Sequence, residues 1–212
     1  MSTDDWRERH VNDPRSTLDL INAALCEPDE DAQWDAVCVL HFRGNAEVLG
    51  AAQILCRSSC EQERELGANI LGQLGVPERT FPEESVAELL RILRSETSAR
   101  VIEAVAIALG HQHDPRAVAE LVRFAEHPEA DVRYAVVHGL TGQLAPLAIA
   151  TLIRLTQDTA PEVRDWATFA LGTQIDLDTS EIRDALAARL NDPDEVARAE
   201  AATGLSRRGL KC

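Results

Sequence analysis

Arg64, Arg133, Arg164 and Arg198 each stand seven residues before a leucine that closes an apolar run: Leu71, Leu140, Leu171 and Leu205. Aligned guanidiniums offer two chemistries. They can hold an anion, or each can pair with acids in neighbouring turns, such as Asp131, Glu162 or Glu195. A ladder of such pairs fixes a stacking register, whereas an isolated surface pair contributes little, so these arginines are expected to be structural. His111 and His113, beside Asp114, supply part of a metal-binding set, but no second Cys or His pair has zinc-motif spacing. Cys56 and Cys60 read as reduced thiols on one helical turn and its end rather than as a redox pair. The chain has no phosphate loop, no Gly-x-Ser-x-Gly and no recognisable carboxylate pair. The expectation is no catalytic residue, no metal and no cofactor.

A second set of residues suits binding. Positions six and two before each anchoring leucine lie four apart and so share one helix face. They read Trp34 and Cys38, Glu65 and Asn69, Glu103 and Ile107, Tyr134 and His138, Asp165 and Phe169, Ala199 and Thr203. Exposed aromatics beside carboxylates are the residue types of an interface. The candidate stripe is therefore Trp34, Glu65, Asn69, Glu103, Tyr134, His138, Asp165 and Phe169. Trp166, one position off it, is expected to wedge between neighbouring helices.

These residues need helices in a fixed order to bring them together. The anchors Leu40, Leu71, Leu109, Leu140, Leu171 and Leu205 fall 31, 38, 31, 31 and 34 residues apart, and the long interval contains the proline-bearing insertion at 76–82. Each unit opens a first helix at a cap or proline: Pro14, Asn45, Pro82, Pro115, Pro146 or Ser180. A short acidic turn follows, able to cap a second helix and favour its positive end. Small residues such as Gly139 and Gly204 directly before an anchor let helices approach closely, and Gly44, Gly72, Gly110 and Gly172 are expected to end helices. Two helices of this length cannot bury their apolar faces alone, whereas a stack can. The expected fold is an all-α solenoid, one domain over 1–212, with helix pairs at roughly 14–44, 45–76, 82–113, 114–144, 145–175 and 178–209.

Composition agrees with that fold. Apolar residues make up 45% of the 212 residues while aromatics are only 4%, too few for a usual sandwich or barrel core. The 21 Lys and Arg against 36 Asp and Glu give a formal charge of −15. That opposes nucleic-acid and anionic-membrane surfaces, which need clustered cations, and favours a basic partner. No run is long and apolar enough for a membrane helix, the first ten residues lack a secretory core, and five cysteines without framework spacing suggest reduced thiols and a cytoplasmic location.

The run Val163-Arg164-Asp165-Trp166-Ala167 through Leu171-Gly172 resembles the bacterial HEAT-like repeat, the type also called phycobilisome-lyase-like HEAT repeats; Ala99 to Gly110 departs from it at Ile102, where arginine is expected. The segment from Val163 through Ser180-Glu181-Ile182-Arg183-Asp184 to Arg208 is also similar to the YibA-type HEAT proteins. Such relatives run on past the Gly-Leu-x-Arg-Arg-Gly that stands here at 204–209, so a short C-terminal cap at Leu210-Lys211-Cys212 is expected. The resemblance implies second helices lining a concave face, and with it a protein-binding scaffold for a basic or mixed-charge protein, in an immunity or antitoxin-type role, as a monomer. Two alternatives follow from the same resemblance: a chromophore-lyase-like protein, and a HEAT-like DNA glycosylase built on Trp34, Asp165 and Trp166, which the net charge disfavours.

Overall fold

The anchoring leucines are buried, and each lies in or just beyond the last turns of a helix. The computed structural model describes residues 8–210; Lys211 and Cys212, and with them part of the expected C-terminal cap, lie outside the described residues, as does most of the N-terminal segment read for a secretory core. Every regular element among the described residues is helical, so the fold is an α-solenoid. The chain divides into two compact units, one ending at Gln112 and the other beginning at His113.

The first unit holds α1 (Thr17–Cys26), α2 (Glu30–Arg43), α3 (Ala46–Leu55), α4 (Glu61–Gly72), α5 (Pro82–Ser95) and α6 (Ala99–Gln112). Successive helices pair as α1/α2, α3/α4 and α5/α6, and the second helices pack side by side as α2, α4 and α6. Leu40, Leu71 and Leu109 fill the space between the layers. The 76–82 insertion folds back on the end of α2: Gly75 N donates to His41 O (2.7 Å) and Thr80 Oγ1 donates to Gly44 O (2.6 Å). It therefore lengthens one interval without disturbing the stack.

The second unit holds α7 (Ala117–Val122), α8 (Ala130–Leu140), α9 (Pro146–Leu155), α10 (Pro161–Phe169), α11 (Ser180–Arg189) and α12 (Glu195–Arg207). Here α8, α10 and α12 pack side by side, with α10 continuing through one wide π-turn at Ala170–Gln174. Val132, Val136, Leu140, Leu152, Leu171 and Leu205 form its core.

Local chemistry sets most helix starts. Asn45 Oδ1 accepts from Val48 N, and Pro82 and Pro146 occupy first-turn positions. Three expected starts shift. The first helix opens after Ser16, not at Pro14, because Ser16 and Asp19 form a reciprocal capping box. Thr179 rather than Ser180 caps α11. Pro115 begins a tight turn, and α7 starts only at Ala117. The acidic turns cap unevenly: Asp194 accepts from Val196 N and Ala197 N, whereas Glu129 makes no side-chain cap bond.

The glycines also sort differently. Gly44 ends α2 in the left-handed conformation (φ 47°), as only glycine does at little cost. Gly110 lies inside α6 and Gly172 inside the π-turn, so neither ends a helix, and Gly72 is the last residue of α4 with Gln73 beyond it. Gly72, Gly172 and Gly204 serve close approach instead. A Cβ on Gly72 would lie 2.9 Å from Ala108 Cβ, and one on Gly204 would lie 2.6 Å from Gly172 Cα. Gly204→Ala is expected to destabilise the second unit, because backbone rather than a movable side chain blocks the added methyl; denaturant unfolding of the variant checks this.

Candidate functional site: the faces of the second helices

The arginines hold their turns by one repeated geometry. Nη1 of Arg64 donates to Ser58 O and Ser59 O, of Arg133 to His127 O and Pro128 O, of Arg164 to Asp158 O and Thr159 O, and of Arg198 to Asp192 O and Pro193 O, at 2.7–3.1 Å. Nε and Nη2 then fork onto a carboxylate of the following repeat. Arg64 meets Glu96 (2.8 and 3.1 Å), Arg133 meets Asp158 (2.7 and 2.7 Å) and Arg164 meets Asp192 (3.0 and 3.0 Å). These acids differ from the expected Asp131, Glu162 and Glu195. Asp131 and Glu162 sit two residues before their arginine and so point away from it on the helix, while the observed partners lie in the next interhelical turn.

Each partner also caps its own turn: Asp158 accepts from Ala160 N, Asp192 from Asp194 N, and Glu96 from Ser98 N. The guanidiniums of Arg64, Arg133 and Arg164 are thus engaged at all three nitrogens, leaving no fork for an anion. Gln33 occupies the same position in α2 and reaches a single carbonyl, Glu27 O (2.6 Å). Ile102 occupies it in α6 and is buried.

In the first unit, Trp34 on α2 is 52% exposed and meets His41 edge-on at 6.1 Å. Glu65 and Asn69 follow on α4, and together with Gln33, Gln62 and Arg100 they line a cavity of about 270 Å³ beside the indole. Glu65 pairs with Arg100 at 2.5 Å across its mouth, with the arginine more than half exposed. Glu103 lies half-buried on α6. His41, by contrast, is a packing residue: burial pushes its pKa down to about 4 and Nε2 contacts Asn69 O at 2.9 Å.

In the second unit the stripe is denser. Trp166 on α10 meets Tyr134 of α8 edge-on (5.5 Å, 79°), meets Phe169 edge-on (5.5 Å, 75°), and lies tilted against His138 (6.2 Å, 36°). All four side chains are half-buried. Trp166 therefore sits between repeats and also joins the stripe, which helical spacing alone does not indicate. Asp165 lies half-buried beside them, its charge felt by Tyr134. It makes no hydrogen bond among the described residues, and its Oδ1 is sealed from solvent. Burial, then repulsion from Glu200 and Asp194, pushes its pKa up to about 6. Burial, with repulsion from His113 adding to it, lowers the pKa of His138.

A raised carboxyl pKa destabilises the fold above that pKa and ceases to do so once the group is protonated. Asp165→Asn is therefore expected to raise the melting temperature near pH 7.5 and to change it little near pH 4, as thermal unfolding at the two pH values will show.

Cys56 and Cys60 do not share a helix. Cys56 follows α3 and Cys60 is the cap residue of α4. Burial pushes the Cys56 thiol up to about 12, which makes it unreactive, and Cys60 Sγ donates to Gln62 Oε1 at 3.0 Å. His111 lies in the last turn of α6, and His113 follows the helix in a left-handed conformation (φ 53°). No group of three His, Cys, Asp or Glu among the described residues is placed to hold a metal ion, and no described helix is long and apolar enough to cross a membrane.

Comparison with known proteins gives the family. The family described as HEAT repeats matches residues 48–141, 86–172 and 149–211. Protein YibA of Escherichia coli K12 is 29% identical over 177 residues, 80% of this chain, and the chain spans 62% of that relative's length. The X-ray structure of Escherichia coli YibA superposes with a TM-score of 0.79 at 25% identity, covering 98% of this chain and 76% of that one. A designed armadillo repeat protein in complex with the peptide (KR)4 superposes with a TM-score of 0.54 at 15% identity, over 91% of this chain and 99% of that one, and shows likeness of fold alone.

Proposed function

Since the chain belongs to the HEAT repeat family, we propose that it is a non-catalytic scaffold whose second helices bind a protein with a basic or mixed-charge surface. The observation that carries this reading is the half-buried Tyr134–Trp166–Phe169 cluster beside a carboxylate with no hydrogen-bond partner. Aromatic anchors at the centre of an interface supply most of its binding energy. The charge of −15 favours a basic partner by steering encounter. In the first unit Trp34, Glu65 and Asn69 line one cavity and form the second part of the proposed surface, with Glu103 on α6. An immunity or antitoxin-type pairing, in which an acidic scaffold covers a basic toxin, is the concrete form of the proposal, and the protein acts as a monomer in it. A DNA-glycosylase-like reading meets an electrostatic obstacle at Asp165, where the acting neighbours are the carboxylates of Glu200 and Asp194. Chromophore attachment would need a bilin-sized pocket, and neither the cavity of about 270 Å³ beside Trp34 nor that of about 450 Å³ beside Arg133 carries a feature that identifies one.

The test starts with affinity capture from the native cell and identification of the bound protein. Tyr134→Ala and Phe169→Ala should each weaken that partner's binding by more than about 1 kcal/mol. Each variant also loses an edge-on contact with Trp166, about 0.5–1.5 kcal/mol of folding stability, so melting is measured on the same samples. Glu103→Gln should mainly slow association and flatten its salt dependence. Unchanged affinity in both aromatic variants would move the site elsewhere on the protein.

A further inference from the structure

The Tyr134, Trp166 and Phe169 rings meet edge to face, with none of the three stacked flat on another, and the face of an aromatic ring is the surface that attracts a cation. Beside them Asp165 carries no hydrogen bond among the described residues. Its Oδ1 is sealed from solvent without a hydrogen-bond partner, and its charge is felt by Tyr134 of the cluster. The groups acting on it electrostatically are themselves acidic, Glu200 on α12 and Asp194 at its start. The neighbouring Arg164 cannot neutralise it, because its guanidinium is committed to Asp192 and to two carbonyls. The protein alone thus holds a partly desolvated negative charge next to an aromatic cluster, and the charges acting on it among the described residues are acidic.

We infer that this patch is a receptor for one arginine side chain of a basic partner, its guanidinium lying against the aromatic cluster and pairing with Asp165. The inference rests on the scaffold proposal and specifies the chemistry of its site. Arginine fits better than lysine, because a planar, weakly hydrated guanidinium stacks on rings while donating to a carboxylate oxygen, whereas an ammonium gives up more hydration. Charge complementarity selects the occupant: an acidic or neutral side chain here would leave the carboxylate unbalanced.

The experiment uses the full chain labelled with ¹⁵N and follows the Trp166 indole N–H, assigned by its absence in Trp166→Phe. The probes are N-acetyl-arginine amide, its lysine counterpart, and N-acetyl-citrulline amide, which keeps the shape without the charge. The expected result is a saturable shift with arginine, weaker binding of lysine, and binding of citrulline weaker by at least tenfold. Asp165→Asn should reduce arginine affinity at least tenfold while the protein stays folded; the citrulline comparison on the unmodified protein decides the matter should that variant misfold. Equal response to citrulline and arginine, or a Trp166 response to a short single-stranded oligonucleotide but not to arginine, overturns the inference. The two proposals fail separately. A captured partner sensitive to Tyr134→Ala, with no arginine response, overturns the receptor alone, whereas an arginine response with a partner indifferent to Tyr134→Ala keeps the receptor and overturns the scaffold reading.

Discussion

Asp192→Ala is expected to destabilise the second unit by about 3–5 kcal/mol, the cost of leaving buried charges without their partner. The Asp192 side chain is 0% exposed and receives Arg164 through two bonds at 3.0 Å, Arg189 Nη1 at 2.9 Å and the backbone N–H of Asp194 at 2.9 Å. Alanine would orphan all of these donors at once. The exposed pair Arg154–Glu126, with side chains 50% and 78% accessible, provides the contrast: Glu126→Gln should change stability by less than about 1 kcal/mol. The pH dependence adds a second signature. Hydrogen bonds from Arg164 hold the Asp192 carboxyl below the usual aspartate range. Its contribution is therefore present above the unfolded value of about 3.9 and is lost as the pH falls through the lower, folded one. Urea unfolding from pH 7 downward should show a flatter acid limb in Asp192→Ala than in the unmodified protein. Loss of stability no greater than that of Glu126→Gln would mean that the ladder does not hold the turns.

Leu140→Ala should cost about 2–5 kcal/mol through a core cavity. Leu140 is fully buried at the end of α8, the helix that packs against both α7 and α10. Leu140→Met, which nearly conserves volume, should cost less than about 1.5 kcal/mol. The pair also separates packing from recognition. Below its lowered melting temperature Leu140→Ala should keep the affinity of the captured partner, because the leucine does not reach the surface, whereas Tyr134→Ala should lose affinity with a smaller loss of stability. Thermal melts and titrations on the same preparations check both halves.

The sequence by itself determined the repeat. The six leucine anchors are buried, Asn45, Pro82 and Pro146 open helices where cap and proline chemistry places them, and the residues that share a helix face are those at helical spacing. These features depend on interactions within a few residues, so local spacing records them. Residues whose role depends on another repeat were not legible in that way. Gly110 and Gly172 look like helix stops, yet both continue the chain's helical path, and what crowds a side chain at Gly172 is the backbone of Glu200 and Gly204 on another helix, 3.2 Å from an added Cβ. The acids that pair with Arg64, Arg133 and Arg164 lie 32, 25 and 28 residues downstream, while the nearer acids face away. One signal could have found them: where the ladder residue is one of these three arginines, the interhelical turn of the next repeat supplies Glu96, Asp158 or Asp192, and where it is Gln33 the equivalent position is Ser58. The character of Asp165 had no such signal. Its raised pKa comes first from burial and then from Glu200 and Asp194, and its aromatic surroundings come from Trp166 filling the space between α8 and α10. Desolvation and Coulomb energy depend on distances across packed helices, and only the tertiary structure sets those distances.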